Sequence, residues 1–186
     1  MKNYQEIIDK YYPVGSRRRD IYIQHCRQVA DMALNISHSN NLPLDDNTVE
    51  TAAMLHDVGI FLTDAEGIYC HGKEHYLMHG ILGAKLLREE GFPEEIARVA
   101  ERHTGAGITS QDIKTQNLPM PEGDYLPETL LEKLICYADK FFSKSGDMKR
   151  KPIEKVIASF ERFGDGSVKR FEELHKEFSK YFLRTD

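Results

Sequence analysis

Six potential metal ligands lie between positions 25 and 139 of this chain: His25, His56, Asp57, His79, His103 and Asp139. Neutral imidazole and carboxylate groups together bind divalent first-row ions such as iron, manganese, cobalt, nickel and zinc, and a set without thiolate has no preference for copper(I). Six side chains are more than one tetrahedral zinc ion requires, but they can hold two ions about 3.5–4 Å apart when a carboxylate bridges them. Asp57 is the natural bridge, so the pattern predicts a site for two divalent ions.

The residue types also permit a simpler interpretation. A single histidine on an apolar helix face is more often a hydrogen-bonded core residue than a ligand, and a single buried aspartate more often caps a helix or pairs with a cation. Four such histidines and two such aspartates together favour metal binding. A bound cation would neutralise the negative charge of carboxylates that lie on apolar helix faces. His38, His71 and His175 do not share the pattern and are expected in solvent, whereas His75 lies one turn before His79 and could line the site.

The elements that must position these ligands are predicted to be helices. Apolar residues recur at intervals of three and four, and short alternating runs rich in valine or isoleucine are absent. The fold class is therefore predicted as all-α, with the six ligands on apolar faces or at helix ends. Five predicted helices have two bounds: Asp20–His38, Tyr76–Glu90, Thr129–Lys144, Pro152–Phe163 and Ser167–Phe182. Two more are predicted by their ends: one is capped by Asp45 or Asp46 and ends near Gly59, and one begins at Pro93.

The stretch from Gly105 to Pro127 separates the last two ligands. It contains prolines, glycines and polar residues, and a connection of this length in a compact domain is often a lid or binding loop. A mobile surface loop that contains a short helix is the alternative. Further along, the aromatic stripe of Phe160, Phe171, Phe178 and Phe182 is expected to be packing surface, which could support a homodimer or close the domain's own core.

Length and composition limit the classes of protein that fit. The chain of 186 residues is predicted to form a single domain, 1–186, with a core at about 15–145 and C-terminal helices at about 150–183 that pack on it. The net charge of −5, with both signs intermixed, argues against an extended nucleic-acid partner. Cys26, Cys70 and Cys136 are too few and too far apart for a disulfide framework. Without a leader pattern or a run of ~18 apolar residues, the sequence predicts a cytoplasmic protein that does not enter a membrane.

In three segments the chain resembles the HD-domain superfamily of metal-dependent phosphohydrolases. They are His25-Cys-Arg-Gln-Val-Ala, Leu55-His56-Asp57-Val58-Gly59 and Tyr137-Ala138-Asp139-Lys140, and the resemblance covers most of residues 15 to 145. Two more segments, His79-Gly-Ile-Leu-Gly-Ala-Lys-Leu-Leu and Glu101-Arg102-His103, resemble the extra histidines of the branch that binds two metals. The resemblance implies a compact HD-domain-like helical bundle with a hydrolase cleft. It also implies iron or manganese as the usual ions, with zinc, cobalt, nickel and magnesium as alternatives.

One segment departs from the family pattern. Many members carry a basic residue just after the aspartate and glycine, but here Gly59 is followed by Ile60 and Phe61. Other cations must then contact the phosphate of the substrate. We predict Arg18, Lys140 and Lys144 for this role, although a solvated charge run is the more usual reason for three consecutive arginines, residues 17–19, before a helix.

The reaction that the resemblance implies is hydrolysis of a phosphate ester or anhydride by metal-activated water. Bound divalent ions lower the pKa of water from about 15.7 towards about 7 and offset charge on the attacking and leaving oxygens. Asp57, His75 and Lys140 are the predicted catalytic residues, and His75, Asp64 and Glu101 are unranked candidates for the proton donor to the leaving group. The expected partner is a small phosphorylated substrate, either a nucleotide or another metabolite.

Two other functions share the ligand pattern. The six residues also resemble those of the di-iron oxygenases of this superfamily, which oxidatively cleave a small polyol or phosphonate. Dependence on iron and oxygen would distinguish them from a hydrolase that works anaerobically. A non-catalytic regulatory module is the third alternative, and it is less favoured because a degenerate domain would be expected to lose its metal ligands first.

Overall fold

Helices make up most of the chain in the computed structural model, which describes residues 2–180. The nine α-helices of this part are α1 Tyr4–Tyr11, α2 Arg17–Asn40, α3 Asp46–Leu55, α4 His79–Glu89, α5 Glu94–Arg102, α6 Ser110–Gln116, α7 Leu130–Asp139, α8 Ile153–Glu161 and α9 Asp165–Phe178. Short 3-10 turns occupy Val58–Leu62, Glu66–Ile68 and Tyr76–Met78. Strands β1 Asp64–Ala65 and β2 Cys70–His71 pair antiparallel, Asp64 with His71 and Ala65 with Cys70. The all-α prediction is confirmed.

Side-chain caps fix the starts of the helices that carry the predicted ligands. The Ser16 hydroxyl accepts a hydrogen bond from an amide in the first turn of α2, and the Asp45 carboxylate does the same for α3. At α7, Thr129 and Glu132 form a reciprocal capping box. Beyond α4, Gly91 has a φ of 74°, a left-handed conformation that glycine adopts without strain. These are local signals, and they explain why the predicted starts lie close to the observed ones.

Some boundaries differ from the predicted ones. The predicted helix Tyr76–Glu90 begins as a 3-10 turn and becomes α-helical only at His79, while the predicted helix Thr129–Lys144 ends at Asp139. After Asp139 the backbone tightens, because the amides of Phe141 and Phe142 each bond a carbonyl three residues earlier. Helix α1 was not predicted. Phe182, which ends the last predicted helix, lies outside the described residues.

One continuous cluster of buried apolar side chains, from Ile7 to Phe178, forms the core. Helix α2 lies against α3 and α7, and α5 lies against α4, α3 and α7. The C-terminal helices α8 and α9 join the same core through aromatic contacts: the rings of Phe171 and Phe178 pack on Tyr137, and Phe160 stacks on Phe171. The described members of the aromatic stripe therefore pack into the core of their own chain, and a homodimer stays a prediction.

A close backbone contact brings the turn after α3 against α4. A Cβ atom on Gly59 would lie 2.3 Å from the carbonyl oxygen of His79 and 2.5 Å from the amide nitrogen of Gly83. Only glycine leaves room for this approach. The contact holds the end of α3 beside the start of α4, and each of these ends carries predicted ligands.

The long connection before α7 contains a short helix, α6, as the second alternative predicted, while a role as a lid or binding loop stays a prediction. Its ends meet where Ile108 and Tyr125 exchange two backbone hydrogen bonds, and its helix α6 is tied to α9 because Arg170 donates to Asp112 across 2.7 Å. The longest described helix, α2, has 24 residues and begins with three arginines. No described helix combines the length and apolar character needed to cross a bilayer.

Candidate metal centre

Five helices bring the six predicted ligands to one place in the core. His25 lies within α2, His56 and Asp57 follow α3, His79 begins α4, His103 follows α5 and Asp139 ends α7. All six side chains are buried. Residues far apart in sequence therefore meet at a single centre, as the spacing predicted.

The first group of ligand atoms comes from His25, His56, Asp57 and Asp139. The Nε2 atom of His25 lies 3.2 Å from Asp57 Oδ2 and 3.0 Å from Asp139 Oδ1. The Nε2 atom of His56 lies 3.3 Å and 3.5 Å from the same two oxygens. Two imidazoles and two carboxylates thus converge on one small volume, a set that suits a divalent ion.

The second group consists of Asp57, His79 and His103. Its histidine Nε2 atoms lie 3.4 Å (His79) and 3.3 Å (His103) from Asp57 Oδ1. Asp57 therefore belongs to both groups, with Oδ2 facing one and Oδ1 facing the other. This is the arrangement expected of a carboxylate that bridges two ions.

Backbone carbonyls fix the orientation of three of the four imidazoles. Each Nδ1 atom lies within hydrogen-bond distance of the carbonyl oxygen three residues earlier: His56 with Ala53 (2.6 Å), His79 with Tyr76 (2.6 Å) and His103 with Ala100 (2.8 Å). A ring that donates from Nδ1 keeps a lone pair on Nε2. The lone pairs of these rings point to the centre, which is how metal-binding histidines are commonly held.

The crowding of acceptor atoms tests whether the residues fit a cation. The Nε2 atoms of His25 and His56 are 3.3 Å apart, and those of His79 and His103 are 3.0 Å apart. Within the described part of the chain, neither oxygen of Asp57 receives a hydrogen bond of favourable geometry, although both are buried. Buried lone pairs at such distances repel one another and cost free energy unless a positive charge lies among them. The residues fit a divalent metal.

Charges around the centre keep its two carboxylates in the ionised form that metal ligands need. Burial lowers the pKa of His56, but Asp57 outweighs it and raises this pKa well above the usual range, so an ion bound there would displace a proton. Burial raises the pKa of Asp57, but Lys144 and His56 outweigh it and hold this pKa well below the usual range. Burial also raises the pKa of Asp139, but Lys140 and Lys144 outweigh it and bring this pKa well below the usual range. Burial and the neighbouring His103 lower the pKa of His79 to about 3. Both carboxylates are therefore ionised and the His79 ring is neutral at pH 7.

A cleft of about 550 Å³ opens above Asp139. Its charged lining residues are Asp139, Lys140, Lys144, Lys151 and Arg162, and its other walls include Tyr76, Thr104, Phe160 and Phe163. Thr104 lies beside the centre, with its hydroxyl 3.5 Å from His79 Nε2. The cleft thus joins the ligand groups to solvent through a predominantly cationic passage.

The two predicted lysines lie in this cleft. The ammonium of Lys140 contacts Asp139 Oδ2, and that of Lys144 lies 2.7 Å from Asp57 Oδ2. Although burial lowers the pKa of Lys144, Asp57 outweighs it and raises this pKa well above the usual range. Both ammonium groups lie close to the ligands, which suits the predicted contact with a phosphate.

The other predicted site residues lie outside the cleft lining. Arg18 packs its guanidinium over the rings of Tyr12 and Phe61. His75 is exposed, and its Nδ1 accepts a hydrogen bond from the amide of Leu77. A substrate contact by Arg18 and an acid–base role of His75 therefore stay predictions. Of the other proton-donor candidates, Asp64 is exposed in β1 and Glu101 pairs with Arg88 at 3.0 Å.

Sequence reasoning missed several residues of the cleft, chiefly Lys151 and Arg162. Neither belongs to a helical stripe that points to the ligands, because Lys151 lies in the connection before α8 and Arg162 directly follows that helix. The run Lys149-Arg150-Lys151 was a visible cluster of positive charge. Its position over the metal ligands depends on how α8 and α9 fold back, which the spacing of residues does not reveal.

Two crystal structures of the HD domain of the phosphodiesterase PgpH from L. monocytogenes share this fold. One has a TM-score of 0.59 at 16% sequence identity, and the match covers 98% of this chain and 97% of that one. The other, in complex with cyclic-di-AMP, has a TM-score of 0.53 at 14% identity and covers 98% of both chains. At these identities the likeness establishes the fold.

Relatives with higher identity come from archaeal sources. An uncharacterized protein of Methanocaldococcus jannaschii is 35% identical over 84% of this chain and 87% of its own length. Two tRNA (cytidine(56)-2'-O)-methyltransferases, from Thermoplasma volcanium and Picrophilus torridus, are each 32% identical over 94% and 86% of this chain. The matches cover only 46% and 42% of those two enzymes, so the chain spans less than half of their length.

The family model of the HD domain matches residues 22–143, a segment that contains all six ligands of the candidate centre. The matched segment runs from α2 through α7 and includes the turn that carries His56 and Asp57. The buried histidines and aspartates, the helical bundle and this match agree, and the chain belongs to the HD domain family.

Proposed function

We propose that this protein is a metal-dependent phosphohydrolase that cleaves a phosphate ester or anhydride of a nucleotide or another small phosphorylated metabolite. One observation carries the proposal: two buried groups of metal ligands share Asp57 beside a cleft in which four of the five charged lining residues are basic. Such a site can hold divalent ions and bring a phosphate group next to them. The protein would act in the cytoplasm, and its three described cysteines are free and buried.

The two ligand groups define where the ions would bind. His25, His56, Asp57 and Asp139 would hold one ion, while Asp57, His79 and His103 would hold the other. Bound divalent ions, iron or manganese in this proposal, would make a coordinated water acidic enough to serve as a hydroxide nucleophile near pH 7 and would offset phosphate charge.

The lysines of the cleft would bind and orient the substrate. Lys144 and Lys140 contact Asp57 and Asp139, which are themselves metal ligands in the proposal. Once these carboxylates bind ions, the two ammonium groups lose their partners and can donate to phosphate oxygens instead. Both stay where a phosphate at the centre would lie, because their side chains are largely buried. His75, Asp64 and Glu101 stay the candidates for the proton donor to the leaving group, although none of them lines the cleft, and a catalytic role of Lys140 stays a prediction.

The comparisons support a phosphorylated small ligand without identifying it. PgpH is a phosphodiesterase, and one of its structures contains cyclic-di-AMP, a small molecule with two phosphate groups. The tRNA methylation of two relatives is not extended to this chain, which spans less than half of their length. The ligand set would equally suit a di-iron oxygenase, so the test must separate the two chemistries.

The test combines metal analysis with assays of phosphate release. Untagged protein, purified without added metal, is analysed for bound ions and assayed on phosphomonoesters, phosphodiesters and anhydrides with and without oxygen. We expect about two equivalents of iron or manganese and phosphate release that does not depend on oxygen. Asp57→Ala should lose metal and activity together.

The matched control is Asp64→Ala, which removes an exposed carboxylate in the same part of the chain. It should keep both metal content and turnover. Iron with oxygen consumption and no phosphate release would replace this proposal with the oxygenase. Protein that binds no metal, or an Asp57→Ala variant with full metal content, would rule out the proposed centre.

A further inference from the structure

The wall of the cleft opposite the metal ligands is built from the C-terminal part of the chain. Lys151, Ser159, Phe160, Arg162 and Phe163 contribute to it, and all five lie beyond residue 143, where the match to the HD domain family ends. The family match therefore assigns no role to these side chains. Because they lie above the proposed centre, these side chains would face the part of the substrate beyond the reacting phosphate.

The charges of the cleft do not balance. Lys140, Lys144, Lys151 and Arg162 line it together with a single carboxylate, that of Asp139. In the proposed enzyme Asp139 and the underlying Asp57 bind cations, so they no longer neutralise the lysines. A single phosphate dianion at the centre would offset two of these four positive charges and leave two uncompensated, and like charges in one small cleft repel one another.

Lys151 is half-buried at this wall of the cleft, and Arg162 is exposed. The Lys151 backbone amide donates to the carbonyl of Phe141 across 2.8 Å, which fixes the connection next to the end of α7. The guanidinium of Arg162 lies 4.5 Å from the ring centroid of Phe163. Among the described residues, neither side chain forms an ion pair with an acid. Burial lowers the pKa of Lys151, Asp139 opposes this shift, and Lys140, Lys144 and Arg162 add to it.

We propose that Lys151 and Arg162 form a second phosphate subsite, and that the natural ligand is a small molecule with two phosphate groups, one at the metal ligands and one at this wall. The proposal rests on the proposed function for the position of the first phosphate. A second phosphate would supply the missing negative charge, and lysine and arginine would bind it through charge-assisted hydrogen bonds. The cleft has the volume of a small-molecule site.

Binding of non-hydrolysable ligands tests the subsite separately from catalysis. Alkane bisphosphonates with three to six carbons are titrated calorimetrically, under anaerobic conditions, into the metal-loaded protein, and each is compared with the alkylphosphonate of equal length. We expect the best bisphosphonate to bind at least about tenfold more tightly than its matched monophosphonate, the ratio typical of one charge-assisted hydrogen bond. Metal content is measured after each titration, because bisphosphonates can themselves bind ions.

Variants assign the preference to particular residues. Lys151→Gln and Arg162→Gln should each reduce the ratio of bisphosphonate affinity to monophosphonate affinity several-fold. The double variant should bring this ratio close to one. The control is Lys149→Gln, which removes the same charge from a side chain that is 81% exposed and lies outside the cleft lining. It should leave the ratio unchanged.

Each proposal can fail alone. A wild-type ratio near one would overturn the subsite, as would a ratio that survives in the double variant or is lost equally in Lys149→Gln. Phosphate release by a protein that shows no bisphosphonate preference would leave the hydrolase proposal in place. A bisphosphonate preference that depends on Lys151, in a protein that never releases phosphate, would support the subsite and contradict the hydrolase.

Discussion

The side chain of Asp57 links the two halves of the candidate centre. Its Oδ2 atom faces His25 and His56, and its Oδ1 atom faces His79 and His103. The remaining ligands serve only one half each. Loss of a histidine and loss of the shared carboxylate should therefore have different consequences, although both kinds of residue are equally buried.

The first prediction separates the two halves by metal stoichiometry. His103→Ala removes a ligand of the second group alone, so the protein should retain about one ion where the wild type holds about two. Asp57→Ala removes a ligand of both groups and should retain none. Elemental analysis after gel filtration measures the ratio. A His103→Ala protein that keeps two ions, or loses both while still folded by circular dichroism, would contradict separate groups.

At the scale of elements, the contact between Gly59 and α4 positions ligands of both groups. Gly59→Ala would place a methyl group 2.3 Å from the His79 carbonyl, and backbone there cannot move without shifting α4. We expect the free energy of unfolding to fall by about 1–3 kcal/mol, as in other overpacked interiors. Metal content should fall too, because His79 begins the displaced helix.

The control for this variant is Gly67→Ala, since an added Cβ at Gly67 would meet no atom within 4 Å. Chemical denaturation and elemental analysis are applied to both proteins. Similar stability and metal content in the two variants would show that the close contact does not hold α4 in place.

A partly buried ion pair joins α5, which His103 follows, to α7, which ends at Asp139. Glu132 of α7 is buried, and its Oε1 accepts a hydrogen bond from Arg98 of α5 at 2.7 Å. Burial raises the pKa of Glu132, but Arg98 and backbone donors at Glu128 and Thr129 more than offset this and lower it. The folded protein thus binds fewer protons than the unfolded chain around this pKa.

The sign of this shift gives a pH dependence. The stabilisation from Glu132 is complete above its unfolded pKa of about 4.5 and is lost as the pH falls through the lower folded value. Arg98→Met should cost about 2–3 kcal/mol near pH 7, the low end for a broken buried pair because backbone donors remain. Between pH 6 and pH 3 the variant should then lose less stability than the wild type.

Denaturation curves across this pH range measure the effect. Arg88→Met is the matched control, because Arg88 pairs with Glu94 and Glu101 at the surface and exposed pairs contribute at most about 1 kcal/mol. An equal fall in stability with acid in Arg98→Met and the wild type would exclude Glu132 as a source of the pH dependence.

Helical periodicity explains which parts of the site were predictable. Residues such as His25 and Asp139 interrupt apolar stripes, and the spacing of such a stripe is enough to indicate the buried face of a helix. Lys151 could not be found in this way, because its place over the centre depends on packing between distant helices. Arg18 was predicted to contact phosphate in place of the basic residue missing after Gly59, and its guanidinium packs over the rings of Tyr12 and Phe61, so that contact stays a prediction.

At the scale of the whole molecule, charge is distributed unevenly. The chain carries a net charge of −5, whereas four of the five charged residues that line the cleft are basic. An acidic surface repels a long polyanion, while the cleft attracts a small one by focusing its positive potential. The volume of the cleft also favours a small ligand, because about 550 Å³ suits a metabolite.

The last prediction concerns nucleic acid, because two relatives are tRNA methyltransferases. Tight binding of tRNA requires many lysine and arginine contacts with phosphates along an extended surface, and here the unpaired cations of the site lie within one cleft. We expect this chain to bind tRNA more weakly than about 10⁻⁴ M at physiological salt, weaker than ordinary non-specific binding. Fluorescence anisotropy with labelled tRNA at several salt concentrations measures this. Micromolar binding with a steep salt dependence would instead reveal a basic surface outside the cleft, and Lys149→Gln would test whether the exposed basic run contributes to it.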